Sequence, residues 1–210
     1  MMRLSVLAAV VVVLPVLAGC GAGISSERAD GGYVQGDFGI TVVPEADRVP
    51  APAVEGETLE GDRIALADLA GRPVVVNVWF ADCTPCRREA DDLVAAERRM
   101  RAAGVAFLGI NIRDDVDGAS TFQRVFDIGW PSIYDPSSAQ LLGFRDSLPA
   151  AAVPTTWVID SAGGVGARVV DEITSPTTLV DLVEEVEGAP VTDAAAGVGA
   201  AVEPAGGGDG

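Results

Sequence analysis

The sequence predicts an α/β domain: a central mixed β-sheet flanked by helices, with an N-terminal β-hairpin extension. Three observations carry this reading. The apolar run Val74 to Phe80 is rich in β-branched residues and too short for a membrane span, so it reads as a buried central strand. A long amphipathic segment and a second apolar run, Val105 to Ile112, follow it, and a strand–helix–strand unit of this kind forms a right-handed crossover. The last part of the domain reads strand, hairpin loop, strand, helix, which adds strands to the same sheet.

Taken in order, the chain opens with a secretion signal over residues 1–19. Arg3 supplies the positive end, and Val6 to Leu17 form the apolar stretch, broken by Pro15. The signal closes Leu17-Ala18-Gly19-Cys20, which resembles the bacterial lipobox. That resemblance implies lipidation of Cys20 and attachment to the extracytoplasmic face of the cell membrane, an oxidising compartment. Residues 20–52 carry the lipidated Cys and a flexible linker rich in Gly, Ser, acidic residues and Pro. Its apolar island, Phe38 to Val43, has edge-strand character.

The domain is expected over residues 53–187. Thr58-Leu59 and Arg63 to Leu66 flank the turn-prone Glu60-Gly61-Asp62 as a hairpin. After the central strand, Thr84 to about Ala103 has an apolar face of Cys86, Ala90, Leu93, Val94 and Met100, and Gly104 ends it. Short helices are expected over Ala119 to Phe126 and Ser137 to Phe144, with Trp130 to Tyr134 extended between them. Thr155 to Ile159 and Val165 to Val170 form a hairpin around Asp160 to Gly164. Ser175 and Pro176 open a last helix with a stripe of Leu179, Leu182, Val183 and Val186. Residues 188–210 read as a disordered tail.

Composition narrows the function. The formal net charge of -17 over 210 residues argues against nucleic acid and against electrostatic binding to anionic lipid. All 14 basic side chains are Arg. The informative motif is Cys83-Thr84-Pro85-Cys86, delivered by the central strand to a helix start. Unpaired N–H groups and partial positive charge at a helix N-terminus favour a thiolate. Pro85 falls in the first turn, where its missing N–H costs nothing, and Cys86 lies one turn on, within reach of a disulfide. A structural disulfide across so short a loop gains little chain entropy. A zinc site needs about four ligands, and the chain has no His and only one other Cys. Thiol–disulfide exchange, with an exposed attacking thiol and a resolving thiol behind it, is the reading that remains; no metal and no cofactor are expected.

Four motifs then carry a resemblance: Leu59-x-Gly61-Asp62-Arg63-Ile64-x-Leu66-x-Asp68-Leu69-x-Gly71, Val74 to Trp79, Cys83-x-Pro85-Cys86-Arg87-x-Glu89, and Val153-Pro154-Thr155-Thr156-x-x-Ile159-Asp160. From about Tyr33 to Glu187 the chain resembles the TlpA/ResA-like thiol–disulfide oxidoreductases of the thioredoxin superfamily, in particular actinobacterial lipoprotein members. The resemblance implies a thioredoxin-like fold and a catalytic set of Cys83 as nucleophile, Cys86 as resolving thiol, Glu89 as proton carrier behind Cys86, and Pro154 as a cis-proline facing the pair. Trp79, Thr84, Pro85, Val153 and Thr155 are the implied substrate-binding residues. Asn77 lies where thioredoxins carry a buried Asp. Implied partners are protein thiol/disulfide substrates, with apocytochrome c among them, and a membrane thiol electron donor. Asp82 departs from the Trp common at its position and, beside Cys83, opposes the thiolate or caps the helix. A reductant is the leading expectation; a disulfide-forming oxidant, a thiol peroxidase and a non-catalytic docking module stay open.

Overall fold

A computed structural model describes residues 34–35 and 39–191. The signal segment, Cys20 and residues 192–210 lie outside the described residues. Strands β1 (Val34–Gln35), β2 (Ile40–Val42), β5 (Val74–Trp79), β6 (Ala106–Asn111), β7 (Ser132–Tyr134), β8 (Thr155–Ile159) and β9 (Val165–Val170) form one seven-stranded sheet in the order β1-β2-β9-β8-β5-β6-β7. β5 runs parallel to β6 and antiparallel to β8. The separate hairpin of β3 (Glu55–Glu57) and β4 (Arg63–Ala65) touches the sheet through a bridge from Thr58 to Ile133.

Every residue of β5 is buried, as expected of a strand covered on both faces. Its alternation divides the core. Val75 faces the helices α1 (Thr84–Met100) and α3 (Pro176–Glu187), among Leu93, Met100, Leu179 and Val183. Val74, Val76 and Val78 face the opposite layer, built of the hairpin and short 3-10 segments, with Leu66, Leu69, Phe144 and Leu148. There Phe144 stacks on the fully buried Trp157 at 4.0 Å between ring centroids, and the Trp157 Nε1–H donates to the Leu148 carbonyl at 2.6 Å.

Several boundaries differ from the sequence reading. Helix α2 (Val116–Val125) starts three residues early, because the Asp115 carboxylate accepts the Gly118 N–H at 2.7 Å and caps it. The segment after Ser137 is a 3-10 turn, Gln140–Asp146. The proposed linker over 20–52 is structured in its second half: Ile40–Val42 pairs with β9, Val43 is buried, and Arg48 is anchored. The expected tail over 188–210 is described as far as Val191. Gly188 ends α3 with φ +69, and Val191 is buried, its N–H held by Glu184 Oε1 at 3.0 Å.

Candidate active site

The sheet brings two distant segments together at one end. β5 ends at Trp79 and passes through a four-residue turn into α1, and antiparallel β8 begins beside it at Thr155. The turn closes with the Cys83 N–H donating to the Phe80 carbonyl at 3.2 Å. Cys83 is the N-cap of α1, and its Sγ accepts the Cys86 N–H at 3.2 Å. The sulfur thus does the capping, and Asp82 stays exposed with no side-chain hydrogen bond among the described residues. Cys83 and Cys86 are joined as a disulfide with their Cα atoms 5.2 Å apart.

Across from the pair, the Val153–Pro154 peptide bond is cis. The Val153 carbonyl oxygen lies 3.8 Å from Cys83 Sγ. The Thr155 hydroxyl donates to the Ala152 carbonyl at 2.7 Å and braces this turn, and the Asp171 N–H donates to the Pro154 carbonyl at 3.1 Å.

Behind the pair lies a buried polar chain. Glu89 sits on α1 one turn beyond Cys86 and has no exposed surface. Its Oε1 accepts Asn77 Nδ2 at 2.9 Å, and its Oε2 accepts the Ile173 N–H at 2.9 Å. The second amide hydrogen of Asn77 goes to Thr156 Oγ1 at 3.0 Å, its register partner on β8. Burial pushes the Glu89 carboxyl from its ordinary 4.5 up to about 7. The Ile173 and Asn77 hydrogen bonds work against that rise, and nearby Glu172 and Asp171 add to it. A carboxyl that ionises near neutrality can take a proton from a thiol and return it.

Not every expected site residue faces outward. Thr84 is exposed, and Pro85 and Val153 are half-buried beside the disulfide. Trp79, Pro154 and Thr155 are buried. Trp79 lies in the wall of the site: its ring stacks on Phe122 at 4.6 Å, and its Nε1–H donates to Ser132 Oγ at 3.3 Å. Thr155 likewise acts on the cis turn from within. Cys83 itself is 3 % exposed in the disulfide state, where an exposed thiol was expected, because Trp79, Phe122, Leu59 and Ala90 pack around the pair.

The sequence reading missed the loop between β6 and α2. Asp114 reaches from it to the Ala81 N–H at 2.7 Å, and Arg113 lies over the Phe80 ring at 5.3 Å. The available signal was position, since loops following the carboxyl ends of adjacent parallel strands gather at one site.

Comparison with known proteins agrees with this geometry. The AhpC/TSA family profile matches residues 48–168. The chain is 29% identical over 115 residues to the thiol-disulfide oxidoreductase ResA of Bacillus subtilis, a match spanning 55% of this chain and 62% of that one, just under two thirds of the relative. It is 32% identical over 129 residues to the thiol:disulfide interchange protein HelX of Rhodobacter capsulatus, covering 59% of this chain and 68% of HelX. Among solved structures, a secreted thiol-disulfide isomerase from Corynebacterium glutamicum superposes with a TM-score of 0.65 at 32% identity, over 70% of this chain and 91% of that one. A DsbF homologue from Corynebacterium diphtheriae gives 0.63 at 32% identity, over 78% and 99%.

Proposed function

The chain belongs to the AhpC/TSA family and has a thioredoxin-like fold, and on that premise we propose that it is an extracytoplasmic thiol–disulfide oxidoreductase, tethered by a lipid on Cys20, that reduces disulfides in other proteins. The observation that carries the reading is the Cys83–Cys86 disulfide at a helix N-terminus, with the Val153 carbonyl in front of it and the buried Glu89 behind it. The names of its relatives, thiol-disulfide oxidoreductase and thiol:disulfide interchange protein, support the same chemistry.

In the reduced enzyme the Cys83 thiolate attacks one sulfur of a substrate disulfide. A mixed disulfide forms and the other substrate sulfur leaves as thiolate. Cys86 passes its proton to the Glu89 carboxylate and attacks the Cys83 sulfur. This releases the second substrate sulfur and closes the Cys83–Cys86 disulfide, with two electrons moved to the substrate. A substrate strand alongside Val153 lies next to the sulfur that attacks. A thiol donor in the membrane then restores the dithiol. The haem-binding cysteines of apocytochrome c are the substrate class we favour, on the family resemblance and on the compartment implied by Cys20.

The test is insulin reduction by the full chain purified in detergent, together with the reduction potential of the pair. A reductant sits near thioredoxin at about −270 mV, whereas a strong oxidant sits near about −120 mV. Active protein with a potential at the oxidising end would replace reduction with disulfide formation. Cys86→Ser is expected to accumulate mixed disulfides with protein substrates, seen as adducts on non-reducing gels. Cys83→Ser is expected to form none; equal trapping by both variants would reverse the roles of the two thiols.

A further inference from the structure

The turn that carries Cys83 is short, and its ties are few. Within residues 80–83 the internal bond runs from the Cys83 N–H to the Phe80 carbonyl, and α1 contributes Arg87, whose Nη1 donates to the Ala81 carbonyl at 3.3 Å. Among the described residues, the only backbone hydrogen bond that ties this turn to any element besides α1 is the Ala81 N–H to Asp114 Oδ2, at 2.7 Å. The Ala81 peptide is thus held at its N–H by a carboxylate and at its C=O by a guanidinium.

Asp114 is itself fixed. Its Oδ2 also accepts Asn111 Nδ2 at 2.7 Å, and the Tyr134 hydroxyl donates to its carbonyl at 3.1 Å. Asn111 is fully buried at the end of β6, in register with Trp79, and its Oδ1 has no partner. An unsatisfied buried oxygen is costly, so the Asn111 amide is oriented toward Asp114 at the expense of its own second group. Arg113, one residue earlier, has φ +63, a conformation that an L-residue adopts only at a cost. From it Arg113 covers Phe80 while Asp114 reaches Ala81, so consecutive side chains grip consecutive residues of the turn.

We propose that Asp114 is a positioning residue for disulfide exchange: by clamping the Ala81 peptide it fixes Cys83 Sγ against the Cys86 N–H and the Val153 carbonyl. The inference rests on the exchange reading above and adds to it a residue two strands' width from the cis turn that touches neither sulfur. Small displacements of a reacting atom cost large factors in rate. The clamp also maintains the 3.2 Å bond from the Cys86 N–H that favours the Cys83 thiolate.

A through-space charge effect makes the opposite forecast. The charged groups on the elements around Cys83 are Asp82, Arg87, Arg88 and the buried Glu89 on its own turn and helix, Arg113 and Asp114 before α2, and Asp171 and Glu172 after β9. If Asp114 acted only as a charge, removing it would ease thiolate formation, and Asp114→Asn and Asp114→Ala would behave alike. If it acts as a clamp, Asn keeps a neutral acceptor for both bonds and Ala keeps none.

The experiment measures alkylation of the reduced full chain against pH, and insulin reduction, for the parent, Asp114→Ala and Asp114→Asn. Asp114→Ala is expected to move the alkylation midpoint to higher pH and to slow insulin reduction on the order of tenfold. Asp114→Asn is expected to restore the parent midpoint and most of the rate. Asp114→Glu keeps the charge and displaces the acceptor; it is expected to follow Ala, and it serves as the test should Ala not fold. Equal midpoints for parent and Ala, or Ala and Asn shifting together to lower pH, would overturn the clamp. A parent without insulin-reducing activity would instead overturn the function on which the clamp rests.

Discussion

Glu89 is a carboxyl sealed from water, its pKa raised to about 7, and this makes it a stability switch besides the proton carrier we propose. Below about pH 4.5 the group is protonated in the folded and the unfolded chain alike. Between there and about 7 the folded chain keeps a proton that the unfolded chain has released, so stability falls as pH rises through this window. The full span corresponds to about 3 kcal/mol. Glu89→Gln is expected to remove that fall, which urea unfolding of both proteins at pH 5 and pH 8 would show; parallel falls would assign it to another group. The residue was legible in the sequence through its spacing from Cys86, but its burial was not, because most helical Glu side chains are solvated. Asp114 was illegible for a related reason. In a string, a loop carboxylate that grips a backbone N–H looks the same as one that faces water.

Elements impose their own constraints on the site. β6 and β7 approach closely at Gly109, where an added Cβ would collide with Ser132 Oγ and meet Trp79 Nε1 at 3.0 Å. Gly109→Ala is therefore expected to break the Trp79–Ser132 hydrogen bond and cost about 1–3 kcal/mol. Thermal unfolding checks the cost, and indole fluorescence checks the Trp79 environment. The central strands and both long helices were readable from periodicity, because each carries one pattern over many residues. Trp79 and Thr155 were implied as substrate-binding residues by the family resemblance, and a fully buried strand shows no alternation from which their burial could be read. Helix α2, between β6 and β7, was placed late for a local reason, since its cap, Asp115, sits in a run of acidic residues where one more carboxylate carries no signal.

In the molecule as a whole, a largely buried ion pair fastens the N-terminal segment to the rest of the described chain. Arg48 Nη1 donates to Asp160 Oδ2 at 2.9 Å and to the Val186 carbonyl at 2.9 Å, and its Nε donates to the Val43 carbonyl at 3.1 Å. The N-terminal segment, the β8–β9 hairpin and the end of α3 meet at this guanidinium. Arg48→Ala is expected to cost about 3 kcal/mol, since it strands a buried carboxylate and two carbonyls; chemical denaturation measures it. Farther out, Cys20→Ser is expected to shift the protein from the membrane to the soluble extracytoplasmic fraction, read by fractionation and blotting. Unmodified, signal-cleaved protein released from the unmutated gene would remove the tether from the proposal.

The 3.8 Å approach of Cys83 to the Val153 carbonyl spans 70 residues of chain. The two halves of the site do not meet in a chain that has not yet placed β8 beside β5. Closing so long a loop is slow compared with forming the turn and helix that hold the two cysteines. If the chain is exported as proposed, it exposes its thiols before it has a groove in which to use them. During that interval the pair is open to any oxidant in the compartment. Under the proposed reductant function, such a molecule would enter service as a disulfide and need one round of electrons from a thiol donor before its first turnover.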